Sequence, residues 1–343
     1  MQTILVAGVL NQPFGSWSAA SQSNDGVSWT TGNPPFNINE YCTGIATDGI
    51  NIAISNARGY LAITTDMINY TLNVINDGFR TTCLSQYIDD GGYNHWMAVG
   101  SYNYIDGYGP YPPRSEVAQI YIADSASSPW RMVWTHPNNG SLFYQVNYFT
   151  AAPIIYNIET QNVWITVGNN GVNSGDAYYS LDYGNSWTQV TIPVGVGIIY
   201  SVDLYQIDGK SMWIWGCNGK IFTSVDLHSS QWNEVQLTSG DTIIGITHSP
   251  NGVMMLNGVN NIYITFDGLE FTIFSQTGYV FNAVTVFSYN GGYRWLAFAR
   301  SNLTQYTMWY TDNLVNWIPQ ITATNVAWEP PNNGIEVQAV TIS

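Results

Sequence analysis

The chain has 343 residues, 45% of them hydrophobic and only 9% charged, against roughly 25% charged in an ordinary globular protein. With 8 basic against 23 acidic residues and a net charge of −15, it cannot supply the basic groove that neutralises phosphates, which excludes general nucleic-acid binding. The 14 Trp, 24 Tyr and 12 Phe exclude a disordered chain.

No apolar run approaches the about 18 residues of a membrane span, so no membrane insertion is expected. Met1 leads into a strand-like run, Ile4 to Val9, without a basic n-region, and no signal peptide is visible. Cys42, Cys83 and Cys217 are too scattered for a disulfide framework or a zinc site and read as buried free thiols. No cofactor and no metal site is expected.

Taken in order, the chain shows no apolar stripe of helical period over three turns; Gly, Pro, Asn and β-branched residues interrupt every window, so the fold reads as all-β. A short segment recurs instead, in which Ser or Thr, or a substitute, stands two residues before Asp and an aromatic residue follows. The clearest copies are Ser23-Asn24-Asp25-Gly26-Val27-Ser28-Trp29 and Ser180-Leu181-Asp182-Tyr183-Gly184-Asn185-Ser186-Trp187. Looser ones hold Asp66 with Tyr70, Asp226 with Trp232, Asp267 with Phe271 and Asp312 with Trp317, and a degenerate copy holds Asp124 with Trp130. The separations of 41, 58, 58, 44, 41 and 45 residues fit one copy per four-stranded unit.

Each copy reads as a hairpin turn, with Asp accepting backbone N–H groups and the aromatic packing back between sheets. Between Asp226 and Asp267 the strands Ile243–Ser249, Val253–Leu256, Ile262–Thr265 and Phe271–Ser275 make one such unit. The runs ending at Gly100, Gly168 and Gly216 align as second strands, and their continuous apolar character suits strands covered on both faces. The last segment, Val337 to Ser343, matches the inner strand Phe281 to Ser288 and is expected to close the first unit. The reading is one domain over 1–343, a seven-bladed β-propeller with four-stranded antiparallel blades, the N-terminal strands and the C-terminal strand sharing the first blade.

The segments resemble the Asp-box (BNR) repeat of sialidase-like propellers, and the style is similar to Asp-box propellers encoded by phages and other viruses. The resemblance implies that the Asp turns join third and fourth strands, on the face away from the site that the family's enzymes use. It thereby makes Asp25, Asp66, Asp124, Asp182, Asp226, Asp267 and Asp312 structural turn residues. Function then falls to the other face, where the longest loop, Gly100 to Glu116, holds Tyr102, Tyr104, Tyr108, Tyr111 and Arg114, and further loops hold Arg58 and Arg300. Amide groups beside flat aromatic faces suit sugar hydroxyls and sugar C–H faces; these residues are the ligand-binding candidates, although Asn and Gly also form turns for their own sake.

A sialidase would need an arginine triad and an Arg-containing signature before the first Asp segment; Arg58, Arg114 and Arg300 fall on the right loops, but the signature is missing. Other glycosidases need two flanking carboxylates. Asp106, Glu116, Asp176, Glu40 and Glu329 lie in or beside face loops, with nothing to pair them, and the four His residues are isolated in sequence. No catalytic residue is assigned. The expected function is a non-catalytic propeller at a virion or extracellular surface, such as a tail fibre, mediating host attachment by glycan binding. Its partners would be a glycan or host-surface receptor and other virion proteins; the alternatives are a glycoside hydrolase and an intracellular assembly factor.

Overall fold

The computed structural model describes residues 3–12, 15–32, 34–36, 42–103, 116–155, 159–171, 174–207, 210–229, 232–237, 240–268, 270–301, 306–321 and 339–342. Every regular element among them is a β-strand. The chain starts with β1 (Thr3–Gln12), β2 (Gly15–Ser23) and β3 (Thr30–Gly32). Then come β4 (Cys42–Thr47), β5 (Ile52–Asn56), β6 (Tyr60–Thr64) and β7 (Thr71–Val74). Next are β8 (Phe79–Ile88), β9 (Asn94–Asn103), β10 (Glu116–Ala123) and β11 (Arg131–Thr135). The middle of the chain forms β12 (Ser141–Ile155), β13 (Glu159–Asn170), β14 (Gly175–Ser180) and β15 (Thr188–Gln189). It continues with β16 (Ile199–Ile207), β17 (Lys210–Cys217), β18 (Lys220–Ser224) and β19 (Asn233–Gln236). After these stand β20 (Ile243–His248), β21 (Met254–Gly258), β22 (Asn261–Thr265) and β23 (Thr272–Ser275). The chain ends with β24 (Tyr279–Tyr289), β25 (Gly292–Ser301), β26 (Tyr306–Thr311), β27 (Ile318–Ile321) and β28 (Ala339–Ile342).

Among the described residues these strands form seven four-stranded sheets, of which six are blades of four consecutive antiparallel strands, β4–β7, β8–β11, β12–β15, β16–β19, β20–β23 and β24–β27. The seventh sheet is a composite in the order β28-β1-β2-β3. The expectation of a seven-bladed propeller is corrected accordingly to six blades of four consecutive strands, beside which stands the one sheet drawn from both chain ends. The repeat counts turns, and the Asp25 turn belongs to a sheet with no inner strand of its own stretch of chain. That place is taken by β28, paired antiparallel to β1 from Thr3↔Ile342 to Val6↔Ala339.

Each blade starts at its inner strand and runs outward. The second strands are buried because a neighbouring blade covers each face: Trp96, Met97, Ala98 and Val99 of β9 and Trp213, Ile214 and Trp215 of β17 are at most 1% exposed. A buried apolar cluster fills each junction between neighbouring sheets, such as Trp96, Leu61 and Phe79 between β4–β7 and β8–β11. Cys42, Cys83 and Cys217 lie in these clusters as buried thiols outside any disulfide.

The inner strands share an irregularity that shapes the centre. In all six blades the pairing of first and second strand slips by one residue, leaving Thr43, Thr82, Tyr144, Tyr200, Ile244 and Asn282 as the extra residue. Such a bulge bends the strand and increases its twist. Gly100 and Gly168 stand opposite it, where an added Cβ would run into the carbonyl oxygens of Arg80 and Leu142.

Candidate functional site

The alternation of strands gives the molecule two unlike faces. One carries the turns between first and second and between third and fourth strands; the other carries the turns between second and third strands and the connections from sheet to sheet.

The Asp turns lie on the first face, and their geometry is explicit at Asp25. The Ser23 hydroxyl donates to Asp25 Oδ1 at 3.0 Å and accepts the Gly26 N–H at 2.9 Å, while Asp25 Oδ1 accepts the N–H groups of Val27 and Ser28 at 2.8 and 2.7 Å. The same pattern recurs at Asp66, Asp182 and Asp267. Burial pushes the Asp25 carboxyl up, but the Ser28 and Val27 N–H groups outweigh it and hold the group below its usual range. At Asp66 the Asn69 and Ile68 N–H groups hold the carboxyl far below that range. The aromatic residue then packs inward, as Trp317 does by stacking on Phe274 of the preceding blade with ring centroids 4.5 Å apart.

Two assignments from sequence shift by one residue. At the last turn Asn313, not Asp312, takes the acceptor position: its Oδ1 receives the N–H groups of Val315 and Asn316 at 3.0 and 2.9 Å. Asp312 points away and holds Arg294 in a two-pronged pair, Nε–Oδ1 2.7 Å and Nη2–Oδ2 2.8 Å. At the third turn Asp124 is exposed, and the hydroxyl of Ser125 receives the Ser128 N–H at 3.1 Å. The register is set by the residue after the acceptor, whose side chain turns inward, as with Met67 and Ala126 at 1% and 2% exposure. Asp226 keeps the local N–H bond to Ser224 Oγ, at 3.4 Å, and is itself buried.

The opposite face gathers several of the ligand-binding candidates. Tyr102 stands near the end of β9, paired with Phe79, and is half-buried against the β4–β7 junction. Arg58 is exposed on the turn between β5 and β6, where Asn56 Oδ1 accepts its N–H at 2.9 Å. That turn rests on the connection to β8, with the Ile75 N–H donating to Gly59 O at 2.7 Å. Arg300 is in β25, two sheets away across the composite sheet. Tyr104, Tyr108, Tyr111 and Arg114 lie outside the described residues.

Around the root of the Tyr-rich loop the structure pairs Glu116 with Arg80 and adds Tyr144, Asn169 and Tyr200, which the sequence reading passed over. Arg80 Nη1 lies 3.7 Å from Glu116 Oε1. In the next blade the Asn169 amide donates to the Tyr144 hydroxyl at 3.3 Å, and the Tyr144 ring meets that of Tyr200 at 5.0 Å. Burial raises the Tyr144 phenol above its usual range despite the Asn169 bond and the nearby Arg80, so it stays protonated. The one signal that could have found these residues is positional, since Tyr144 and Tyr200 are both bulged residues of inner strands.

Of the acidic residues placed near this face, Glu40, Asp106 and Glu329 lie outside the described residues, and the described ones are engaged. Asp176, 2% exposed, receives His136 Nε2 at 2.8 Å, the Tyr178 hydroxyl at 3.2 Å and the Gln189 amide at 3.0 Å. Asp241 receives the Asn260 and Asn261 amides at 2.7 and 2.6 Å and the Tyr263 hydroxyl at 3.2 Å. On the first face, Asp89 pairs with His95 at 3.0 Å and Asp203 with His248 at 2.7 Å, while His228 meets the Tyr179 hydroxyl at 2.9 Å. The His residues that look isolated in sequence each have a tertiary partner. Among the described residues no group of three or more His, Cys, Asp or Glu is placed to hold a metal ion.

Fold and site together define the class as a β-propeller. No family model matches the chain, and no curated protein matches it. Among solved structures the chain is similar to "YCF48 bound to D1 peptide", at 11% identity over 92% of each chain and a TM-score of 0.56. It is similar to the WD40 β-propeller domain of Doa1, at 10% identity over 87% of this chain and 89% of that one, with a TM-score of 0.57. A third is BBS1N in complex with ARL6DN, at 11% identity over 88% and 85% and a TM-score of 0.55. At this identity the likeness is one of fold.

Proposed function

We propose that this chain is a non-catalytic Asp-box propeller that recognises a glycan or host-surface receptor through the face opposite the Asp turns, at a virion or extracellular surface. The observation that carries the reading is the chemistry of that face. A half-buried aromatic pair, Tyr144 and Tyr200, stands with Asn169 beside the root of a loop holding Tyr104, Tyr108 and Tyr111. Aromatic planes beside amide groups bind by contact and hydrogen bonding. The described acid groups near this face, Asp176, Asp241 and Glu116, are engaged by hydrogen bonds or an ion pair within the fold, which favours recognition over acid–base chemistry.

Two of the similar propellers are described with bound partners, a D1 peptide and ARL6DN, which supports a recognition role and gives the second reading, a protein partner. A glycan array read alongside a panel of chromogenic glycosides separates the readings. Binding without sugar release, lost when Tyr104, Tyr108 and Tyr111 are all replaced by Ala, is expected. Turnover of a glycoside, or capture of a protein partner with no glycan affinity, would replace this function by the hydrolase or the assembly factor.

A further inference from the structure

The β12–β15 blade departs from the repeat in two places, and the departures meet. Its inner strand, at 15 residues, is the longest in the molecule among the described residues, and it slips register a second time between Phe149 and Ala152. Its Asp turn, from Ser180 to Trp187, is one residue longer than those beginning at Ser23, Thr64, Thr265 and Thr311. The first departure puts Ala151 in the left-handed region at φ 49°, while Tyr183 at φ 58° holds the left-handed place that Met67 and Leu314 hold in the shorter turns. Such conformations cost about 1–3 kcal/mol and tend to gather at functional sites.

Between them lies a cavity of about 360 Å³ on the Asp-turn face, lined by Tyr148, Ala151, Thr160, Gln161, Asn162, Trp164, Ser180, Leu181 and Tyr183. That volume is within the range of small-ligand sites, roughly 300–1,000 Å³. Three aromatic rings stand in its wall and are braced from behind. Tyr148 stacks on Tyr87 with centroids 3.5 Å apart and meets Trp164 edge-on at 5.2 Å; Tyr183 stacks on His95 at 4.4 Å. The His95 ring is in turn fixed by Asp89 at 3.0 Å. Among the described residues the polar lining is neutral, with the Gln161 and Asn162 amides and the Thr160 and Ser180 hydroxyls and no charged side chain. Trp164, 1% exposed, contributes ring surface to this wall.

We propose that this cavity is a binding site for a neutral saccharide, separate from the recognition face above. A sugar ring offers C–H faces for Tyr148 and Tyr183 and hydroxyls for the two amides. The absence of any cation among the lining groups disfavours an acidic sugar here, because a carboxylate would be desolvated without a counter-charge.

Saturation-transfer NMR on the full chain tests it, with glucose, galactose, mannose and N-acetylglucosamine as probes and N-acetylneuraminic acid as the anionic comparator, each at about 10 mM to detect millimolar affinity. At least one neutral sugar should receive saturation, with a response reduced about tenfold or more by Gln161→Ala and by Tyr183→Gly, which removes the ring while suiting the left-handed backbone. Gln161→Ala leaves the core untouched, so loss of binding there does not reflect misfolding. Replacing Tyr200 by Ala on the opposite face should leave this signal intact, which separates this site from the glycan-recognition face. No saturation of any neutral sugar, a response unchanged in both cavity variants, a preference for N-acetylneuraminic acid, or a signal lost only with Tyr200→Ala would overturn the proposal.

Discussion

At the residue scale, the acidic excess is largely a set of hydrogen-bond acceptors. In the Asp turn one carboxylate oxygen collects two N–H groups that would otherwise be unpaired, and a hydroxyl two residues earlier collects two more. The same work is done by an amide at Asn313 and a hydroxyl at Ser125, so geometry rather than charge is what the turn requires. Removing the acceptor by Asp25→Ala should destabilise the protein by about 1–2 kcal/mol, and Ser125→Ala by about 1 kcal/mol. Asp124→Ala should leave the urea midpoint unchanged, although the sequence pattern alone marks Asp124 as the turn residue.

A titration follows from the His248–Asp203 pair. Burial lowers the affinity of His248 for its proton, but the hydrogen bond and charge of Asp203 outweigh it, so the folded-state value lies above the usual one. The pair therefore stabilises the fold fully below the unfolded value, about pH 6.5, and that contribution disappears as pH rises through the folded value. Urea unfolding of the wild type and Asp203→Asn should show a larger stability difference at pH 6 than at pH 8.5. An equal difference at both would show that the pair has no proton linkage to folding.

At the scale of the element, sequence and structure agree along the buried second and third strands. The second strand expected at Val253–Leu256 is found at Met254–Gly258, and the third, expected at Ile262–Thr265, at Asn261–Thr265. Period and apolar run length carry this information locally, because a strand buried on both faces has no polar side to encode. What the pattern could not convey is the bulge of the inner strand, which answers to the backbone of the strand beside it. Gly168 is legible as the end of an apolar run, but its necessity is not; only the approach of Leu142 O explains it. Gly168→Ala should force the two strands apart and destabilise by about 1–3 kcal/mol or more, measured as a loss of urea midpoint with far-UV dichroism retained in the folded baseline.

At the scale of the molecule, the sheets form a ring, with β24 packed against β28 and β28 and β1 against β4. The closing junction has a particular clamp. Arg294, 7% exposed, donates Nη1 to the Asp25 carbonyl of the composite sheet at 2.8 Å while gripping Asp312 of its own blade, and its guanidinium lies over the rings of Tyr289 and Tyr310 at 3.7 and 4.7 Å. The planar fork of arginine suits this task and a lysine ammonium does not. Arg294→Lys and Arg294→Leu should both destabilise, the second by about 2–3 kcal/mol through the loss of charged hydrogen bonds. Hydrogen exchange should rise first in β1 and β2, next to the junction. Uniform exchange across all blades would show that closure depends on β28 alone.

The sequence by itself determined the all-β class, the unit of four strands, the turn chemistry and the buried cysteines, because each is written in neighbouring residues within a few positions of one another. It also marked the C-terminal segment as an inner strand by likeness to Phe281–Ser288. Only the tertiary structure decided that the blades of four consecutive strands number six, that Asp312 belongs to Arg294, and that each His has a partner. It alone brought Ala151 and Tyr183 to one cavity and Tyr144 to Tyr200. Most of these depend on contacts between residues 18 to 269 positions apart. Such pairs leave no local period in a single chain; they are chosen by the angle at which one twisted sheet packs on the next.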